Sequence, residues 1–366
     1  MKLTPYAITK LAITGLLLMT TAAQADQRYT TIAEGLHFPW SVAQLPDTGW
    51  LVTERSGQLV YVAPDGQKST VAMQLDGLFV DAQAGLFEVL LSTDFSTSRE
   101  LFLSYACGTA NANATCISRA QLSPQPPYQL QQAKQIFRAS PDKKGSAHYG
   151  ARMTWWADGT LLLSLGDGFD YREQAQNLNS DLGKVIRINR DGSIPADNPY
   201  THTESPAIFS YGHRNVQGLV YDAQRDIIWQ HEHGPKGGDE INILEKGRNY
   251  GWPMVTYGID YTGAKVSPFQ ELPGIDIPLW VWTPSLAPAG LAVYYGDKHP
   301  DWQGDLLVSH LAGKRLQRFR YRNGILELEQ QLLDDLGLRF RAVHVGHDSH
   351  VYVLTDSPEG VLIQLN

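Results

Sequence analysis

The stretch from Tyr211 to Pro253 holds more directed chemistry than a packed core requires. Tyr211-Gly-His-Arg-Asn-Val-Gln-Gly218 is followed by His231-Glu-His-Gly-Pro-Lys-Gly-Gly-Asp-Glu240 and then by Asn249-Tyr-Gly-Trp-Pro253. Glycines let main-chain carbonyls and amides approach a ligand, Arg214 and Asn215 supply directed donors, and Asp239 and Glu240 carry the hard oxygens that calcium prefers. Together these residues read as a ligand-and-metal site. Upstream, His148 lies in Ser146-Ala-His-Tyr-Gly-Ala-Arg-Met153, which leads into an apolar strand ending at Gly166-Asp167. A neutral imidazole oriented by a carboxylate is a general base, and Asp167 is the nearest candidate for the carboxylate. Arg214 then stands as the fixed positive charge for developing anionic character. A structural histidine and a surface ion pair are the plain alternatives.

Residues this far apart in sequence need a scaffold that brings them together. Six short apolar runs recur: Trp50 to Glu54, Leu101 to Tyr105, Leu161 to Leu165, Ile227 to His231, Leu306 to His310 and Val351 to Thr355. Each is followed by a partner, at Gln58 to Val62, Ser118 to Leu122, Lys184 to Asn189, Glu240 to Leu244, Arg315 to Tyr321 and Val361 to Leu365. Most partners alternate as half-buried strands do, and Asp158-Gly159, Asp191-Gly192 and Asn323-Gly324 mark turns between strands. The pattern predicts an all-β chain, a six-bladed β-propeller of four-stranded antiparallel blades, with a pair of β-sandwiches as the competing arrangement. Glu54, Arg55, Asp167, Glu232 to Pro235 and Leu311 to Lys314 lie mostly just past the carboxyl end of the first strand of a unit, so radial blades would gather them at one mouth.

Composition narrows the classes. Net charge is −8 with no basic block, which excludes nucleic acid as a partner. Lys2 and Lys10 precede the apolar run from Leu11 to Met19, and Ala23-Gln-Ala25 offers small residues for cleavage. Residues 1–25 are therefore expected to be a signal peptide and 26–366 a single propeller domain, periplasmic or secreted, with no stable membrane insertion. Cys107 and Cys116 are the two cysteines; in an oxidising compartment they close one small loop or remain unpaired thiols.

The three phrases between Tyr211 and Pro253, with Gly183-Lys-Val-Ile-Arg-Ile-Asn-Arg-Asp-Gly-Ser-Ile-Pro195, resemble the soluble aldose sugar dehydrogenases that use pyrroloquinoline quinone (PQQ), the glucose/sorbosone dehydrogenase family. Pro39-Trp40, Leu51 to Arg55, Gln83 to Leu86, Ser285 to Pro288, Arg339 to Arg341 and Val351 to Asp356 extend the resemblance over nearly the whole mature chain. It implies a six-bladed propeller in which His148 takes the proton from the anomeric hydroxyl of an aldose, Asp167 orients it, and hydride passes to the quinone, giving a lactone. Arg214 would bind the quinone oxygen, and Asn215 and Gln83 would contact the cofactor. The carbonyls of Gly234 and Pro235 would hold one calcium, and Arg339 and Arg341 would face the cofactor's carboxylates. Some relatives have a lysine directly after the leucine matching Leu311; here Ala312 and Gly313 precede Lys314, the corresponding candidate. A second, structural calcium is implied at the Glu240 side chain and the Tyr250 main chain. Trp282, before Thr283-Pro284, is either a roof for the sugar or core. No haem attachment motif is present, so an external electron acceptor is expected. A calcium-dependent lactonase-type hydrolase and a non-catalytic binding propeller are the alternatives on the same scaffold.

Overall fold

The computed structural model describes residues 28–366, so the expected signal peptide lies outside the described residues. The described chain forms six four-stranded antiparallel sheets. Blade one comprises Pro39–Gln44, Trp50–Glu54, Gln58–Val62 and Lys68–Thr70; blade two comprises Leu86–Leu91, Glu100–Thr109, Ala112–Leu122 and Leu130–Arg138. Blade three is built from Gly150–Trp155, Leu161–Leu165, Lys184–Ile188 and Ile208–Tyr211, and blade four from Val216–Asp222, Ile227–Glu232, Asp239–Leu244 and Trp280–Trp282. Blade five runs Pro288–Val293, Leu306–His310, Leu316–Arg322, Ile325–Leu332. Blade six joins Phe340–Val345, Val351–Thr355 and Gly360–Leu365 to the early strand Tyr29–Leu36, which closes the ring with Tyr29 opposite Leu365 and Leu36 opposite Gly360.

The apolar runs seen in the sequence are the second strands of their blades, not the first. They are buried on both faces because neighbouring blades pack against each other: Leu51, Leu103 and Leu163, from successive blades, share one core cluster and are fully buried. The innermost strand of each blade precedes that run and lines the channel, next to the innermost strands of the blades on either side. Turns obey local chemistry. Asn323 and Gly324 both have positive φ, 53° and 82°, as a two-residue hairpin between Leu316–Arg322 and Ile325–Leu332 requires. Cys107 and Cys116 form a disulfide across the hairpin of blade two, with their Cα atoms 5.9 Å apart.

Candidate active site

His148 sits in the loop entering blade three with φ of 53°, a left-handed conformation that a non-glycine residue adopts when its surroundings impose it. Those surroundings are specific. Its main-chain N–H donates to Gln83 Oε1 at 3.0 Å, and its Nδ1 lies 2.7 Å from Asp167 Oδ1. Asp167 also accepts the N–H of Phe169 at 2.8 Å and the indole N–H of Trp252 at 2.8 Å. With the carboxylate held by three donors, the proton belongs on Nδ1 and Nε2 is left as the base. Burial lowers the proton affinity of His148 below its ordinary 6.5; Asp167 pulls it upward, and Arg214 and Lys143 push it down again. The imidazole is therefore neutral at neutral pH.

Asp167, which follows the second strand of blade three, and Arg214, which precedes the inner strand of blade four, meet through backbone: Asp167 N–H donates to the Arg214 carbonyl at 2.8 Å. Arg214 is anchored by Glu232, which accepts its main-chain N–H and lies 3.0 Å from Nδ1 of His213. Its guanidinium donates to the carbonyls of His233 at 3.0 Å and Gly234 at 2.8 Å and lies over Trp252.

His148, Arg214, Gln83 and Asn215 open onto one cavity of about 250 Å³ at the mouth of the channel. Arg55, Arg339 and Arg341 also line it, so that four arginines and one carboxylate, Asp356, surround the cavity. Arg339 donates to Asp356 at 2.9 Å, and Arg341 lies 3.8 Å from it while donating to Gln217 at 3.2 Å. Arg341 Nε is buried without a hydrogen-bond partner. Burial, with Arg152, Arg55 and Arg339 nearby, pulls its pKa down to about 10. This is a cavity short of negative charge. An anionic, planar ligand with carboxylates supplies what the orphaned donor and the unbalanced guanidinium groups lack, so the residues present fit PQQ.

The remaining site candidates divide. Pro235 lines an adjoining cavity with Phe169, Trp252 and Tyr261, an aromatic-walled approach to the base. The Gly234 carbonyl, one of the two expected calcium donors, accepts from the Arg214 guanidinium, as does that of His233. Glu240 and Tyr250 border a separate cavity of about 20 Å³ together with Glu232 and Asp276. Arg214 lines the same cavity, and burial, with the neighbouring Glu232, pushes the Glu240 carboxyl up to about 8. Two expectations change, those for Lys314 and Asp239, and the alternatives for Trp282 are decided. Lys314 is exposed, with φ of 50°, and does not line the cavity, whereas Leu311 of the same segment does. Asp239 is spent on structure: it accepts from the N–H groups of Gly234, Leu286 and Ala287 and from the Ser285 hydroxyl. Trp282 is core, 5% exposed, with its indole N–H on Gln317. The mouth aromatics are instead Phe169 and Tyr261, 47% and 60% exposed. Sequence reading missed these and the role of Trp252; only Trp252 carried a signal, as part of a phrase already singled out.

Fold and cavity together define the class: a six-bladed propeller with a carboxylate-backed histidine and an arginine-rich pocket at its axial mouth. The chain belongs to the Glucose / Sorbosone dehydrogenase family, which it matches over residues 36–364. It is 35% identical over 352 residues to the aldose sugar dehydrogenase YliI of Escherichia coli strain K12, covering 94% of each chain. The crystal structure of the soluble aldose sugar dehydrogenase from Escherichia coli in the apo-form is similar with a TM-score of 0.88 and 34% identity, over 92% of this chain and 99% of that one. The PQQ-bound form of the Streptomyces coelicolor aldose sugar dehydrogenase gives a TM-score of 0.77 at 25% identity, over 92% of this chain and 97% of that one.

Proposed function

We propose that this chain oxidises the anomeric carbon of aldose sugars to lactones, using PQQ and calcium, outside the cytoplasm, and hands the electrons to a separate acceptor. The observation that carries the reading is the His148–Asp167 pair opening into a cavity with four arginines and one carboxylate, in a chain whose net charge is −8. His148 Nε2 takes the anomeric hydroxyl proton, and Asp167 stabilises the imidazolium that results. PQQ, when bound, supplies the hydride-accepting quinone that no side chain offers. Arg214, whose charge already bears on His148, would stabilise anionic character beside it. Arg339 and Arg341 would hold cofactor carboxylates, Gln83 and Asn215 would bound its rim, and the Gly234 and Pro235 carbonyls would hold the calcium, a Lewis acid. Phe169, Trp252 and Tyr261 wall the approach and suit the apolar faces of a pyranose.

A lactonase of the alternative kind needs calcium held by several side-chain carboxylates in the channel, the inverse of the donor set found here. The test is reconstitution. Purified protein incubated with calcium and PQQ is expected to shift the cofactor's absorption spectrum and to reduce an artificial acceptor when given an aldose. Absence of both the spectral change and turnover over a broad sugar panel would remove the reading.

A further inference from the structure

Every inner strand of the propeller breaks register near its start. The breaks fall between Pro39 and Ser41, Leu86 and Val89, Gly150 and Met153, Val216 and Gly218, Pro288 and Gly290, and Phe340 and Ala342. Such bulges leave the skipped residues outside the ladder, with polar backbone groups that need other partners. The six breaks form a ring around the channel, and one of the skipped residues is Arg152, only 6% exposed.

Its guanidinium reaches the skipped residues of all five other blades. Nε donates to the Gln217 carbonyl at 2.8 Å, and Nη2 donates to the carbonyls of Ala289 at 2.8 Å and Arg341 at 3.2 Å. Nη1 donates to Glu88 at 3.0 Å, and the guanidinium carbon lies 3.9 Å from the centre of the Trp40 ring. A planar fork with five N–H groups can serve several carbonyls and an aromatic face at once; an ammonium cannot. The residues gripped in this way also build the cavity above: Trp40, Gln217 and Arg341 line it.

We infer that Arg152 is a positioning residue for this site: it closes the channel beneath the cavity and fixes the backbone from which Trp40, Gln217 and Arg341 present their side chains. It does not touch the reacting atoms. Its effect passes through Arg341, whose carbonyl it holds while the Arg341 guanidinium meets Gln217. A brace that served stability alone would leave the cavity unchanged in any molecule that still folds.

The test compares full-length Arg152→Gln and Arg152→Lys with Arg318→Gln, a control that breaks a buried arginine pair with Asp305 in blade five, away from the cavity. Crystal structures need no cofactor: in Arg152→Gln, or in Arg152→Lys should the glutamine variant not fold, the Gln217 and Arg341 side chains are expected to be displaced. Wild-type positions for both would overturn the inference. Spectral titration with PQQ and calcium, which rests on the functional reading above, is the second arm. Working well below each melting temperature, Arg152→Gln is expected to bind at least about tenfold more weakly, the equivalent of one charge-assisted hydrogen bond. Arg318→Gln should lose melting temperature and keep its affinity, and Arg152→Lys should recover only part of the loss. Undiminished affinity in Arg152→Gln, or an equal loss in the control, would overturn the inference. Failure of the wild type to take up PQQ would sink the functional reading, and the crystal comparison would still decide the role of Arg152.

Discussion

At the scale of single residues the site is a matter of who holds the proton. His148 and Asp167 were legible because each stands beside a strand in the same unit, and Arg214 because an arginine in a glycine-rich phrase has directed work to do. Lys143 was not legible, since nothing in a lone lysine announces burial. Its ammonium lies 3.9 Å from the centre of the Tyr149 ring and donates to the Gly145 carbonyl, and burial pulls its pKa down to about 8. While charged it disfavours a second positive charge on His148. Removing the base in His148→Ala should leave cofactor uptake intact and cut kcat by about 10²- to 10⁴-fold, the usual worth of general base catalysis; retained turnover would remove the assigned base. Lys143→Met tests the tuning. The acid limb of kcat/KM follows protonation of His148, whose pKa lies below 6.5, and loss of the neighbouring cation raises that pKa. The limb should therefore move to higher pH, and a limb that stays put or moves lower would contradict the electrostatic account.

At the scale of elements, the second and third strands of the blades were readable because they are apolar or alternate. The inner strands were not, because a bulge interrupts their period and the polar groups it frees point at a channel rather than at water. Outer strands such as Lys68–Thr70, exposed throughout, carry no apolar signal at all. The hairpin of Glu100–Thr109 and Ala112–Leu122 matters to the site through its tip. Asn113 exchanges two main-chain bonds with Lys143, its side chain donates to Gly145, and it accepts from the Tyr149 hydroxyl, so the tip braces the loop that ends at His148. The Cys107–Cys116 disulfide pins this hairpin with a separation of 9 residues. A loop that short is worth roughly 2–3 kcal/mol by chain entropy. Replacing both cysteines with serine should lower unfolding free energy in denaturant by that order, and reductant should then have no further effect. A wild type whose denaturation curve ignores reductant would contradict the brace.

At the scale of the whole molecule, closure sets how well six blades hold one cavity. The first described strand, Tyr29–Leu36, pairs with the last, Gly360–Leu365, so the ring is sealed between the two ends of the described chain. Val361 to Leu365 read as a strand paired with Val351 to Thr355, but its second partner, which closes the ring, left no sign, because Tyr29–Leu36 is half exposed and breaks register twice. Its buried contribution comes from Ala33 and Leu36, which join the core that Trp50, Val52 and Leu354 share between blades one and six. Blade six carries Arg341, and blade one carries Trp40, so loosening that seam loosens both walls of the arginine-rich cavity. A chain lacking residues 28–36 loses the burial of Leu36, roughly 1.5–3 kcal/mol for a fully buried leucine, along with a row of ladder hydrogen bonds. It also exposes Gly360–Leu365 as an unpaired edge, a template for pairing with another chain. The expected outcome is a lower melting temperature and a concentration-dependent shift to larger species on gel filtration. A peptide of sequence 28–36 added in trans should reverse both, by refilling the edge. A truncated chain that melts and elutes as the full one does would mean that the seam between blades six and one is held by side-chain packing alone.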